Sequence, residues 1–410
     1  MRVLFIAAPF PYPPTTGSRN LIFHWLDAAS RAHDVHLLWI GDSSQGKEHI
    51  PELPNVRIDY IEAIPSLGTS ARIRRLAEAV VVGIPPTSLV GMTRRARGEI
   101  IRHVQTDKSD VVVLTENVVA GYAPILQAYA PTVLFKHSVQ AVDARDARRR
   151  NGMWHPRWML EEWMVRRFEA RTCHAATVVC TVNAEDAADL ARRYLTRPAE
   201  IVPIGVDLSK FPSRESDPGG HVIGFFGNMS WGANLDAASW FVDQILPRVW
   251  KKIPLAEFRV IGPGSEQVAL GKRDPRIVSR GPSQIPDAMS DVAIGVVPVI
   301  SGTGIRLKFL EMLSLGVPVV TTSLGALGTG CVHQEHALIA DDADSFSAAV
   351  THLLGDAGLR RKLTQAGQKL IQRHSWQSFY PRILDVIEKA ASANRKGKVV
   401  IRAGTTQEVL

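Results

Sequence analysis

The chain has 410 residues, 45% of them hydrophobic and 21% charged, with a formal net charge of +8. That length exceeds one ordinary core and predicts two domains of roughly 180–200 residues. The composition is that of a globular protein, and no run of about 18 uncharged apolar residues occurs, so no membrane-spanning helix is expected.

From the N-terminus, Val3–Ala8 reads as a buried strand; the opening Met1–Pro14 is too short and Pro-rich for a secretory signal. Asn20–Ala32 has the spacing of an amphipathic helix, followed by strands at Val35–Ile40 and Val56–Ile61. Short apolar runs at Val111–Leu114, Thr132–Phe135 and Thr177–Cys180 continue the series, which repeats at Val222–Phe226, Phe258–Ile261, Val292–Val296 and Val317–Thr321. Helices are expected near 234–250, 304–315 and 344–354, and over Trp376–Ala391. Apolar strands alternating with helices predict parallel sheets covered on both faces, so the fold class is α/β, with two doubly wound units in tandem. The segment Val202–Gly220 between them is rich in Pro, Gly, Ser and Asp and reads as a linker.

Three cysteines, Cys173, Cys180 and Cys331, predict a reducing compartment without a disulfide framework, small core positions and a cytoplasmic location. The charge is uneven. Residues 71–110 hold eight basic against four acidic side chains, and Arg145, Arg148, Arg149, Arg150, Arg157, Arg166, Arg167 and Arg171 form a second cluster. No nucleic-acid motif accompanies them, so an anionic membrane surface or an acidic acceptor is the expected partner, and nucleic acid is not. Residues 71–82 combine apolar and basic sides in a helical spacing that suits a membrane interface or packing on the first domain.

The densest chemistry lies at Gly302–Thr322. Ser301-Gly302-Thr303-Gly304 opens a helix beginning Ile305-Arg306-Leu307-Lys308, with Glu311 one turn on and a Gly-Val-Pro break before the next strand. A helix N-terminus offers backbone N–H groups and partial positive charge to a phosphate. Arg306 and Lys308 oppose the helix dipole unless an anion lies between, and Glu311 can accept hydrogen bonds from vicinal sugar hydroxyls. Together they predict a nucleoside diphosphate sugar as ligand. After the first strand, Gly17 allows backbone to approach a phosphate closely. His137 follows a strand end and points toward a ligand site.

These parts, in order, resemble the retaining glycosyltransferases of GT-B architecture, family 4: Pro13-Pro14-Thr15-Thr16-Gly17, Lys136-His137-Ser138, Pro203-Ile204-Gly205-Val206-Asp207, Phe226-Gly227-Asn228-Met229 and the Gly302–Thr322 segment. The resemblance covers most of the chain. It implies two Rossmann-like domains facing across a cleft: residues 1–205 for the acceptor, with helix 376–393 crossing back onto it, and 206–375 for the nucleotide sugar. Residues 394–410 are a loose tail. It further implies donor contacts from Gly17, Gly227, Asn228, Gly281, Ser283, Gly302, Thr303, Gly304, Ile305 and Glu311, and catalytic roles for His137, Arg306 and Lys308. Residues Arg280–Ile285 would meet the base. No metal and no cofactor are expected beyond the donor itself, because protein cations and helix dipoles neutralise the diphosphate. The stretch 71–82 suggests in addition a glycan or lipid-linked acceptor of envelope or exopolysaccharide synthesis, reached from the inner face of the membrane; the sequence does not choose between a polyprenyl-linked glycan, a growing polysaccharide and a small metabolite.

Two departures stand out. Where many members carry a first Glu, this chain has Thr303, and the Arg and Lys often found after Gly227 are absent, which leaves their charge to Arg306 and Lys308. Two other readings of the architecture are a UDP-sugar epimerase and a non-catalytic nucleotide-binding module. NAD-dependent oxidation fits poorly, because no Gly-x-Gly-x-x-Gly follows the first strand.

Overall fold

The computed structural model describes residues 1–14, 16–41, 50, 53, 55–62, 80, 83–88, 92–272 and 274–396. The helix expected over 71–82 (Val80 apart) and positions 397–410 of the expected tail lie outside the described residues. The chain divides into two compact units, Met1–Val202 with Tyr380–Leu410, and Pro203–Phe379. Both are parallel-sheet α/β units.

In the first unit, β1 (Arg2–Ala7), β2 (Asp34–Gly41), β3 (Val56–Glu62), β4 (Val111–Leu114), β5 (Thr132–Lys136), β6 (Val178–Thr181) and β7 (Glu200–Ile201) form one parallel sheet in the order β3-β2-β1-β4-β5-β6-β7. In the second, β8 (Val222–Phe226), β9 (Glu257–Ile261), β10 (Ile277–Ser279), β11 (Ile294–Val297), β12 (Val319–Thr321) and β13 (Leu338–Ile339) follow the order β10-β9-β8-β11-β12-β13. The register runs Val3 opposite Val35 and Val111 in one sheet, and Ile223 opposite Phe258 and Ile294 in the other. β1, β4, β5, β8 and β11 are buried almost throughout, as strands covered on both faces must be. Strand order reverses between β1 and β4, and between β8 and β11. Ligands of doubly wound sheets bind at the carboxyl ends of such a pair.

Several elements escaped the sequence reading. β7, β10 and β13 are two or three residues long and too short to show periodicity. The helix Ala357–Gln372 went unnoticed between its neighbours. The helix expected over 234–250 is three pieces, Gly232–Trp240, a π-helical turn Phe241–Ile245, and Leu246–Trp250. Pro247, which has no N–H to donate, sits in the first turn of the last piece.

Gly205 fixes where the C-terminal helix Trp376–Lys396 begins: a Cβ there would stand 2.7 Å from the backbone of Trp376, whose indole is fully buried. Val206 N–H donates to His374 at 2.8 Å beside it. From Tyr380 onward the helix belongs to the first unit. The Tyr380 hydroxyl lies 2.9 Å from His24 Nδ1 and donates to Asp27, while Arg382 and Lys389 both pair with Glu200. Cys173 and Cys180 are buried, with their thiols pushed up by desolvation; Cys331 is only half-buried.

Candidate functional site

In the second unit the loops after β8 and β11 meet at the strand reversal. The helix after β11 spans Leu307–Ser314, two residues later than the sequence suggested. Gly302 (φ 90) and Gly304 (φ 80) take left-handed backbone, and Arg306 (ψ 89) is the non-helical cap, so the chain is still a loop at Ile305. Lys308 therefore lies in the first turn. Its ammonium reaches Asn234 Oδ1 at 2.6 Å and sits 4.3 Å above the ring centre of buried Phe225.

Gly227, at the end of β8, has φ 152, and a Cβ there would come within 2.9 Å of both Lys308 Nζ and Asn234 Nδ2. Glycine is what lets the ammonium stand against this backbone. Gly262 (φ 120), after β9, abuts Gly227 in turn: its Cβ would lie 2.2 Å from the Gly227 carbonyl oxygen. Asn234 Nδ2 donates to the Asn228 carbonyl at 2.8 Å, and Asn228 Oδ1 accepts from Ser230 N–H at 2.9 Å, closing the turn into the helix Gly232–Trp240. Trp231 occupies the N-cap position of that helix and is 59% exposed.

Arg306 is committed differently from Lys308. Its guanidinium donates to the carbonyls of Thr303 (2.5 Å) and Ser301 (3.0 Å), strapping the loop that Gly302 and Gly304 bend. Ile305 is buried beneath it. Of the loop after β10, Gly281 is left-handed (φ 56) and its carbonyl accepts from Gly262 N–H at 2.7 Å. The exposed Ser283 hydroxyl lies 3.0 Å from the Arg280 carbonyl, within its own loop.

Burial among these groups pushes Lys308 down to about 7, with Arg306 adding repulsion and Glu311 opposing. The same desolvation pushes Glu311 up to about 7, against the attraction of Lys308. The signs make the contribution of these two groups to stability lowest near neutrality. From ~4.3 to 7 the folded chain holds a proton on Glu311 that the unfolded chain has lost, so stability falls as pH rises; from 7 to ~10.4 the unfolded chain holds the extra proton on lysine, so stability rises again. An anion beside Lys308 would restore its charge. Binding of UDP or GDP at pH 8 is therefore expected to take up a proton, read by calorimetry in buffers of different ionisation enthalpy. Uptake unchanged in Lys308→Met would assign the proton elsewhere.

In the first unit, Gly17 is the exposed first residue of helix Gly17–Ser30, which follows β1 and is capped by the Thr16 hydroxyl. No acidic side chain occupies its first turn. At the end of β5, His137 Nδ1 stands 3.4 Å from Glu116 Oε2, from the end of β4. Neither that nitrogen nor Glu116 Oε1 makes a hydrogen bond among the described residues, although both are buried. Beneath them Lys136, fully buried, pairs with Glu169 at 2.9 Å and donates to Asn117 Oδ1 at 2.8 Å. Glu169 also accepts from the N–H groups of Gln140 and Ala141 and from the Tyr194 hydroxyl. This network holds the strand end that presents His137.

Asn234, Gly262 and Glu116 were missed in the sequence. Gly262 and Glu116 follow strand ends directly or by two residues, a signal that could have singled them out, whereas Asn234 lies inside the helix Gly232–Trp240 and carried none. The structure brings Gly227, Asn228 and Lys308 together, sets Glu311 one turn along the same helix, and bends the loop at Gly302 and Gly304.

A family model described as "Glycosyltransferase Family 4" matches residues 16–210, and one described as "Glycosyl transferases group 1" matches 220–356. The chain belongs to the group 1 glycosyltransferases of GT-B fold. A protein encoded in the cps region of Klebsiella pneumoniae is 26% identical over 133 residues, 30% of this chain and 34% of its own length. A phosphatidyl-myo-inositol mannosyltransferase of Mycobacterium leprae is 25% identical over 227 residues, 52% of this chain and 60% of its own. The matches thus span about a third to three fifths of these relatives. Among solved structures, a sucrose-phosphate synthase from Thermosynechococcus elongatus superposes with TM-score 0.71 at 14% identity, covering 96% of this chain and 99% of that one. Anabaena HepE, solved with UDP and glucose, gives 0.64 at 13% identity over 95% and 100%. At such identities these likenesses speak for the fold.

Proposed function

We propose that this chain transfers a hexosyl unit from a nucleoside diphosphate sugar to an acceptor hydroxyl, with retention at the anomeric carbon and without a metal. The observation that carries this reading is the convergence of Lys308 Nζ on Gly227 and Asn234 at the ends of β8 and β11. A half-buried lysine ammonium, beside a helix N-terminus and a glycine that admits close approach, is suited to a diphosphate. Glu311 takes the ribose hydroxyls, and Thr303 with the bent loop Gly302–Ile305 takes the sugar. The loop around Gly281 and Ser283 meets the base.

In the reaction the bond from the anomeric carbon to the diphosphate oxygen breaks, and its electron pair leaves with the diphosphate. The acceptor oxygen forms its bond on the same face and passes its proton to the departing phosphate. Fixed positive groups aimed at that developing charge supply most of the acceleration. Lys308 and the helix N-terminus do this directly, and Arg306 does so by holding the loop. His137, with Glu116 behind it, orients a hydroxyl of the acceptor. The acceptor in this reading is a glycan or lipid-linked glycan of envelope polysaccharide synthesis.

Thermal shifts with UDP, GDP, ADP and dTDP, each in EDTA, test the donor half: one diphosphate is expected to raise Tm through binding linkage. The matching nucleotide sugar should then be turned over, with the anomeric configuration of the product read by NMR. No shift with any diphosphate would remove the site around Lys308, and an inverted product would remove the retaining mechanism.

A further inference from the structure

The arginine cluster of the first unit has a structural counterpart that the transferase reading leaves unused. Among the described residues thirteen large hydrophobic side chains are exposed, and five of them fall between positions 153 and 163: Met153 (41%), Trp154 (80%), Met159 (42%), Leu160 (42%) and Trp163 (47%). They belong to the turn before, and the first two turns of, helix Pro156–Ala175. That helix buries its other side, Met164, Val165, Phe168 and Cys173, so its packing is already satisfied. The exposed row is a second apolar face. Tryptophan at high exposure costs solvation unless something covers it, and a concentrated patch of this kind marks an interaction surface.

The polar surroundings say what covers it. Met159 and Trp163 edge a cavity of about 610 Å³ whose other walls include Arg148, Arg166, Arg167 and Arg193. Arg148 pairs with Glu162 (2.7 Å) and Arg193 with Asp189 (2.5 Å), but neither Arg166 nor Arg167 has a carboxylate within salt-bridge distance among the described residues. The Arg167 guanidinium instead lies over the Trp163 ring, 4.9 Å from its centre. Arg157 adds exposed positive charge at the start of the same helix, and Arg149, on the preceding helix Gln140–Asn151, is exposed but pairs with Asp146 at 3.8 Å. Leu195, beside the cavity residue Tyr194 in sequence, is 87% exposed.

We propose that this face docks on an anionic phospholipid bilayer, with Trp154, Met159, Leu160 and Trp163 entering the headgroup boundary and Arg166 and Arg167 binding lipid phosphates. Tryptophan prefers that boundary, where an apolar ring and a polar N–H are both satisfied, and arginine keeps its charge in the headgroups while its stem lies on apolar surface. The cavity admits a phosphate headgroup between the guanidinium groups. A protein partner would need no excess of unpaired arginine; an anionic lipid surface does, and charge complementarity selects it. Among the described residues no helix is long and apolar enough to cross a membrane, so the attachment is to one leaflet. The proposal does not rest on the transferase reading.

Vesicle sedimentation of the full chain tests it, using phosphatidylcholine alone and phosphatidylcholine with 30% phosphatidylglycerol, at low salt and at ~0.5 M NaCl, a range over which surface charge is screened. Partition is expected only with the anionic vesicles at low salt. R166E/R167E should lower it by at least about 30-fold, the factor that losing two headgroup contacts supplies before the added repulsion, and W154S/W163S should lower it independently. All four side chains are exposed, so Tm and the diphosphate-induced thermal shift serve as controls for folding and for the donor site. Failure of the wild-type chain to sediment, or undiminished partition of both double variants, would overturn the proposal. So would concentration-dependent dimerisation abolished by W154S/W163S, which would make the face an interface between copies. Salt-resistant capture of a soluble acidic polysaccharide by the wild type, with no vesicle binding, would assign the arginines to an acceptor instead.

Discussion

Lys308→Ala is expected to lower kcat by ~10²-fold or more, the loss seen when one preorganised donor to a developing oxyanion is removed. The reason lies in what holds the ammonium. It rests between Asn234 Oδ1, the Phe225 ring and the bare backbone of Gly227, where burial has already pulled its pKa to about 7. An unpaired charge in that setting is unstable, and the charge that appears on a leaving diphosphate relieves it. The interaction strengthens as the bond breaks, so the variant should lose kcat more than it raises KM. Lys308→Arg is not expected to rescue it, because a planar guanidinium needs more room than the gap beside Gly227 gives. Stability of the empty protein should be unchanged or slightly higher, since a desolvated ammonium has been removed. Turnover of Lys308→Ala near the wild-type rate would take this residue out of the chemistry.

Lys136→Met is expected to cost about 3–5 kcal/mol of stability, the usual penalty for stranding one partner of a buried ion pair. Both side chains are fully buried, and Glu169 would keep its contacts to Gln140, Ala141 and Tyr194 but lose its counter-charge. Pairing the change with Glu169→Gln should recover most of the loss, because two neutral groups replace two charges. Denaturant unfolding reads both. A single variant within about 1 kcal/mol of wild type would show that the pair is not the keystone of this strand end. The position matters for function as well as folding, since His137 follows Lys136 directly and Glu116 reaches it from the neighbouring strand.

Much of this was legible in the chain. Apolar runs such as Val111–Leu114 and Thr132–Phe135 are buried on both faces of a parallel sheet, and such strands cannot alternate polar and apolar residues, so the pattern announces the fold class. The Gly-rich turn before Leu307 and the basic residues beside it set the expectation of a phosphate-type site, and the structure places Lys308 of that pair in the first turn of the helix. What the pattern could not give was where the helix begins. Gly302, Gly304 and Arg306 adopt backbone that local propensity does not distinguish from a first helical turn, and the answer came from the carbonyls that Arg306 straps.

The division of labour between the two basic residues was likewise decided only in three dimensions. Two positions apart in sequence, Arg306 and Lys308 look equivalent, yet one binds its own loop and the other faces Asn234, 74 residues away. Sequence by itself determined the alternation of strands and helices, the tandem repeat and the residue types at the strand ends, because these follow from burial and backbone chemistry within a few neighbours. Only the tertiary structure decided which strand ends adjoin, that Gly262 backs Gly227, that Glu116 meets His137, and that the arginine-rich helix turns its tryptophans outward. Those facts depend on strand order and on close approach between segments far apart in the chain, and no local spacing encodes them.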